Sequence, residues 1–117
     1  QTETLKPSAA ILETVSVAKF HEMIGSTPNL QILDVRTPGE TDLGIVPGAT
    51  IININDADFE KRVSELAKDQ PVAVYCKAGG RSRRAQGIMN NLGFKEIYNV
   101  DGGFDAYKAA GYTSGNK

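Results

Sequence analysis

With 117 residues, 40% of them apolar, and 13 Lys and Arg against 14 Asp and Glu, the chain has the profile of a single soluble globular domain. A formal charge of -1 argues against bulk nucleic-acid affinity, and no stretch approaches the roughly 18 consecutive apolar residues of a membrane span. One cysteine excludes an intramolecular disulfide and one histidine excludes a metal cluster of the usual spacing, so Cys76 is either a packed core atom or a reagent.

The chain opens on QTETLKPSAA, polar and without apolar periodicity, and residues 1–10 are expected to form a loose arm. It starts without Met; a mature exported, periplasmic protein and a trimmed cytoplasmic one both fit that start. Ser16 can cap a helix with Val17, Phe20 and Ile24 on its apolar face and Gly25 at its end. QILDV is a short apolar run of buried-strand type, and a loop rich in Pro and Gly (Pro38, Gly39, Gly44, Pro47, Gly48) leads to a second, TIINI. Asp56 or Asp58 opens a helix carrying Phe59, Val63 and Leu66, and Pro71 starts a third strand, PVAVY. Ala85, Ile88, Met89 and Leu92 define a helix from Arg83 to Leu92, closed by Gly93. EIYNV is a fourth strand, and a last helix runs from Phe104 to Ala110. Residues 113–117 form a frayed tail, which leaves 11–112 as the folded domain. Strands alternating with helices predict an α/β domain with a mostly parallel sheet.

On this reading Cys76 falls at the carboxyl end of a parallel strand, immediately before a helix, where open parallel sheets hold their ligands. Gly79 and Gly80 allow backbone conformations that turn several N–H groups into one concavity, and the helix adds the positive end of its dipole. A thiolate held there ionises below the free value of about 8.5, with Lys77 and Arg81 adding charge. A merely apolar role for Cys76 gains nothing from two glycines and the run of Arg81, Arg83 and Arg84. Arg83 and Arg84 are read as the solvated face of the helix, and His21 as a surface residue outside the chemistry.

CKAGGRS resembles the active-site loop of the rhodanese family of sulfurtransferases, in which a cysteine, four residues and an arginine form a tight loop between a strand and a helix. ILDVRTPGE resembles the family's early Asp-x-Arg and Glu signature, VPGATIINI its Gly-Ala and following strand, and NVDGGFDAYKAAGY its closing Gly-Gly helix. Two positions depart from the pattern: Ile45 stands where a histidine is common, and Tyr107 where a tryptophan is common. The resemblance implies a three-layer fold, a mostly parallel sheet flanked by helices on both faces. It also implies that Cys76 takes a sulfane sulfur from a small anionic donor such as thiosulfate. The persulfide would be cradled by the amides of Lys77, Ala78, Gly79, Gly80, Arg81 and Ser82, and relieved by cyanide or a thiol, a protein thiol included. No cofactor or metal is implied. Lys77 and Arg81 would attract the donor, Arg81 and Ser82 would hold the loop, and Asp34 and Arg36 would stand at the same sheet edge. These last two could serve substrate access or form a salt bridge with Glu40.

Two other classes compete. Cysteine-dependent phosphatases and arsenate reductases use Cys-x5-Arg, but here Arg81 lies five positions after Cys76 and the sixth is Ser82, which favours sulfur. A catalytically dead interaction module typically lacks the cysteine, whereas a persulfide carrier or redox module would keep it.

Overall fold

In the computed structural model the described residues are 9–116, so most of the expected arm and the final Lys117 lie outside them. Five parallel strands form one sheet in the order β1-β5-β4-β2-β3, with β1 at Ile11–Val15, β2 at Gln31–Asp34, β3 at Thr50–Ile51, β4 at Val72–Tyr75 and β5 at Glu96–Val100. β4 is central and all four of its residues are buried, the continuous apolar run required of a parallel strand covered on both faces. The expected α/β architecture is the one observed.

Side-chain alternation along β4 sorts the interior into two halves. Val72 and Val74 join Phe59 and Val63 of α3 (Phe59–Val63) and Ala85 and Met89 of α4 (Gly80–Asn91). Ala73 and Tyr75 join Phe20 of α1 (Val17–Ser26) and Phe104 and Tyr107 of α5 (Gly103–Ala109). Helices therefore cover both faces, and the sheet's carboxyl edge is left to the loops.

Several elements differ from the sequence expectation. Strand β1 was not anticipated because ILETV buries only Val15; it is an edge strand defined by its parallel register with β5, from Ile11 opposite Glu96 to Val15 opposite Val100. Ser16 caps α1 as expected, its Oγ accepting from Lys19 N at 3.1 Å, but the helix buries Phe20 and Met23, leaves Ile24 38% exposed and continues past Gly25 to Ser26. The stretch taken as loop contains a turn of helix, α2 (Pro38–Thr41), started by Pro38 and held by Glu40, whose Oε1 accepts from Thr37 N and Oγ1 at 3.1 and 3.0 Å. Helix α4 begins at Gly80 rather than Arg83, so Arg81 and Ser82 stand in its first turn.

The segment expected to fray is tied down. Gly115 and Ile45 exchange backbone hydrogen bonds of 2.8 Å, and Tyr107 Oη donates to Thr113 O at 2.9 Å. Both departures from the family pattern thus have structural duties, Ile45 as a buried bridge residue and Tyr107 among the rings of Phe20, Phe104 and Tyr112.

Candidate active site

Strand β4 delivers Cys76 to the sheet's carboxyl edge, where the residue is 1% exposed. The chain reverses through Gly79 at φ 121° and ψ -17°, a conformation that side chains rarely adopt, and enters α4. The reversal folds the backbone round the sulfur: Gly79 N donates to Cys76 Sγ at 3.0 Å, and the neighbouring amides of Ala78 and Ser82 also favour its charged form. Ser82 Oγ is 3.5 Å from Sγ. Burial pushes the thiol's pKa up, but the Ser82 hydroxyl and the three amides together more than offset it, and the net shift is downward. The expected lowering is present, and its leading source is hydrogen-bond donors rather than the flanking cations.

Those cations are engaged elsewhere. Arg81 makes a two-pronged ion pair with Glu40, Nη1 to Oε1 at 2.7 Å and Nη2 to Oε2 at 2.8 Å, and so straps α2 to the first turn of α4. Lys77 pairs with Asp105 of α5 at 2.7 Å on open surface, where such a pair contributes little to stability. Arg83 and Arg84 are exposed, in keeping with the sequence reading. His21 is an exposed residue of α1 whose ring stacks on Tyr112 at 4.0 Å.

Asp34 and Arg36 are buried together at the end of β2. Arg36 Nη2 donates to Asp34 Oδ2 at 2.8 Å and to Gly44 O at 2.7 Å, and the guanidinium lies 4.2 Å from the centre of the Phe104 ring. The salt bridge with Glu40 considered for this pair is not what forms; Asp34 and Arg36 satisfy one another, and Glu40 turns to Arg81. Arg36, Glu40, Leu43, Lys77, Phe104, Asp105 and Lys108 line a pocket of about 130 Å³. Cys76 is not among its walls.

Three contributors escaped the sequence reading of the site. In sequence, Glu40 is visible only as a partner for Asp34 and Arg36. Gly103, at φ 58°, lets α5 press against the back of the loop: Phe104 N donates to Cys76 O at 2.8 Å and Asp105 N to Lys77 O at 3.0 Å. With the carbonyls of 76 and 77 fixed outward in this way, the following amides are free to face the sulfur. Asn99 of β5, fully buried, accepts from Ser82 Oγ at 2.5 Å. Its one sequence signal is a lone amide inside the apolar run EIYNV.

The Glu40 carboxylate is held at about 2, against an ordinary 4.5, chiefly by its hydrogen bonds from Arg81. A depressed carboxylate stabilises the fold at pH above its unfolded value and loses that contribution as pH falls, here between about 4.5 and 2. Arg81→Ala is therefore expected to flatten the acid limb of a urea-unfolding series over that window. The same variant is expected to raise the alkylation midpoint of Cys76 by less than Ser82→Ala does, because the hydroxyl and amide donors remain. An equal or larger shift for Arg81→Ala would return the leading electrostatic duty to the guanidinium.

A buried cysteine sulfur that accepts hydrogen bonds from its own loop, at the carboxyl edge of a parallel sheet between a strand and a helix, is the arrangement of a covalent transfer site. The chain belongs to the rhodanese-like domain family, which matches residues 16–110. It is 33% identical over 97 residues to the thiosulfate sulfurtransferase GlpE of Pseudoalteromonas translucida, covering 82% of this chain and 89% of that one. It is 32% identical over 93 residues to YrkF of Bacillus subtilis, provisionally named a sulfur carrier protein; that match covers 80% of this chain and spans about half, 49%, of YrkF. In three dimensions it resembles the crystal structure of a rhodanese-related protein from Thermoplasma volcanium, with a TM-score of 0.79 and 28% identity over 90% of this chain and 99% of that one.

Proposed function

We propose that the chain is a sulfurtransferase that carries a sulfane sulfur as a persulfide on Cys76. The single observation behind this reading is the convergence of the Ala78, Gly79 and Ser82 amides and the Ser82 hydroxyl on a buried sulfur whose pKa they lower. The likeness to a thiosulfate sulfurtransferase over most of both chains supports the same chemistry. Thiosulfate is the donor we propose. The Cys76 thiolate attacks its outer sulfur, the sulfur–sulfur bond of the donor breaks, and sulfite leaves with the electron pair. Cyanide or a thiolate then attacks the outer sulfur of the persulfide, and the bond to Sγ breaks to restore the Cys76 thiolate. The amides of residues 77–82 form the cradle for the transferred sulfur. Lys77, at the pocket rim beside Asp105, is suited to meeting an anion, while Arg81 and Asp34 with Arg36 keep the walls in place.

A second reading has one observation in its favour: the relative named as a sulfur carrier aligns over 80% of this chain, and a carrier differs from an enzyme in its acceptor, a protein thiol, rather than in the bond made. The decisive measurement is intact mass after incubation with thiosulfate, in parallel with hydrolysis of an aryl phosphate. Gain of one sulfur atom on Cys76 and no phosphate release is the expected result. Phosphatase turnover without sulfur uptake would overturn the assignment. Discharge of the sulfur by a protein thiol but not by cyanide would favour the carrier.

A further inference from the structure

Beneath the cradle, opposite Val74 in the sheet register, Asn99 is fully buried. Buried side-chain amides normally have both ends matched, and Asn99 has only one. Its Oδ1 accepts from Ser82 Oγ at 2.5 Å, whereas Nδ2 has no hydrogen-bond partner, the one buried side-chain nitrogen or oxygen in that position among the described residues. The Ser82 hydroxyl is over-subscribed by contrast. It owns a single proton, yet three acceptors surround it: Asn99 Oδ1, Gly79 O at 3.1 Å and Cys76 Sγ at 3.5 Å.

With Oδ1 toward Ser82 the proton is spent on Asn99, an arrangement suited to a neutral thiol that needs no donor. Rotation about the terminal amide torsion, which is broad and two-fold, exchanges Oδ1 and Nδ2. Nδ2–H then meets a lone pair of Ser82 Oγ, Oδ1 takes the unpartnered place, which a carbonyl oxygen tolerates better than an N–H, and the hydroxyl proton is released toward the remaining acceptors. A thiolate is the charged one and makes the stronger bond.

We propose that Asn99 is a positioning residue for the Cys76 thiolate: in the ionised protein its Nδ2–H donates to Ser82 Oγ and so directs the Ser82 proton onto Sγ. This rests on the reading of Cys76 as the sulfur-bearing nucleophile. The charged groups around Cys76 are Lys77 with Asp105, Arg81 with Glu40, and Asp34 with Arg36, and none of them is altered in the variants that follow.

The test is a double-mutant cycle of Asn99→Leu and Ser82→Ala, read as the pH midpoint of Cys76 alkylation by iodoacetamide, with circular dichroism to verify folding. Without Asn99 no donor orients or polarises the Ser82 hydroxyl, and its proton is shared between Gly79 O at 3.1 Å and Sγ at 3.5 Å instead of being directed onto Sγ. Asn99→Leu is therefore expected to raise the midpoint by about half to one pH unit, slowing alkylation at neutral pH about three- to tenfold. In the Ser82→Ala background it is expected to add nothing. A midpoint that is unchanged or lowered in folded Asn99→Leu would make Asn99 a mere competitor for the proton and overturn the proposal, as would additive shifts in the cycle. Should Asn99→Leu not fold, the parent chain supplies the answer by nuclear magnetic resonance. The Asn99 side-chain amide protons are expected to shift with the Cys76 midpoint, and a resonance indifferent to that titration overturns the proposal. Intact mass of the parent after thiosulfate treatment separates the two readings, because a chain that takes up no sulfur but shows the coupled titration sinks the transferase assignment and leaves Asn99 in place.

Discussion

Cys76→Ser is expected to reduce thiosulfate-to-cyanide sulfur transfer at least about a thousandfold while leaving the fold intact. Cys76 is the only thiol in the chain, so no second sulfur can take over. A serine hydroxyl fits the same volume and can accept from Gly79 N as Sγ does, so the stability change is expected to stay within about 1 kcal/mol. Ionisation is what is lost: the Ser82 hydroxyl and the surrounding amides lower the thiol's pKa, but the same donors cannot bring an aliphatic alcohol into a range where it ionises. Turnover measured beside circular dichroism and a urea melt gives the result. Retained transfer in a folded Cys76→Ser protein would sink the persulfide mechanism.

The second large effect is expected far from Cys76 in sequence. A Cβ on Gly103 would overlap the carbonyl oxygen of Cys76 and stand 2.6 Å from that of Lys77, on a backbone already at φ 58°. Neither obstacle is a flexible side chain, so Gly103→Ala has to move the loop or α5. Displacing a reacting group by about 1 Å costs on the order of a hundredfold in rate, and that is the expected fall in kcat/KM, with a raised alkylation midpoint as the amides turn from the sulfur. Stability is expected to drop by about 1–3 kcal/mol from the strained backbone alone. Gly111 supplies the control. It too has a positive φ, 86°, but an added Cβ meets nothing within 4 Å, so Gly111→Ala should destabilise without touching activity. Equal losses of activity in the two variants would reduce the Gly103 effect to general destabilisation.

What could be read from the sequence, and what could not, follows the distance between partners. Cys76, Gly79 and Ser82 are near neighbours, so strand-to-helix position and glycine chemistry reveal their joint purpose. The strap from Arg81 reaches back 41 residues to Glu40, and the Ser82 contact with Asn99 spans 17. No periodicity announces either. β4 was legible because a parallel strand buried on both faces must be apolar throughout, whereas β1, exposed along much of its length, has its identity from pairing alone. α2 was hidden because Pro and Gly signal a turn as readily as a helix start. The two glycines near the end were recognised as a resemblance, but their duty is visible only where α5 touches the back of the loop.

The strand order has a consequence for how the molecule comes into being. β1, made first, has β5 as its sole neighbour, and β5 is made last. As the chain leaves the ribosome, β4 and the cysteine appear well before β5, Asn99 and Gly103 exist to support them. Non-local parallel pairing of this kind closes slowly, so until β5 slides between β1 and β4 the loop lacks the backing of Asn99 and α5 that holds its donors round the thiol. The surroundings of Cys76 are thus completed only at the final stage of assembly, and an unfinished chain carries its cysteine on a loop with nothing behind it.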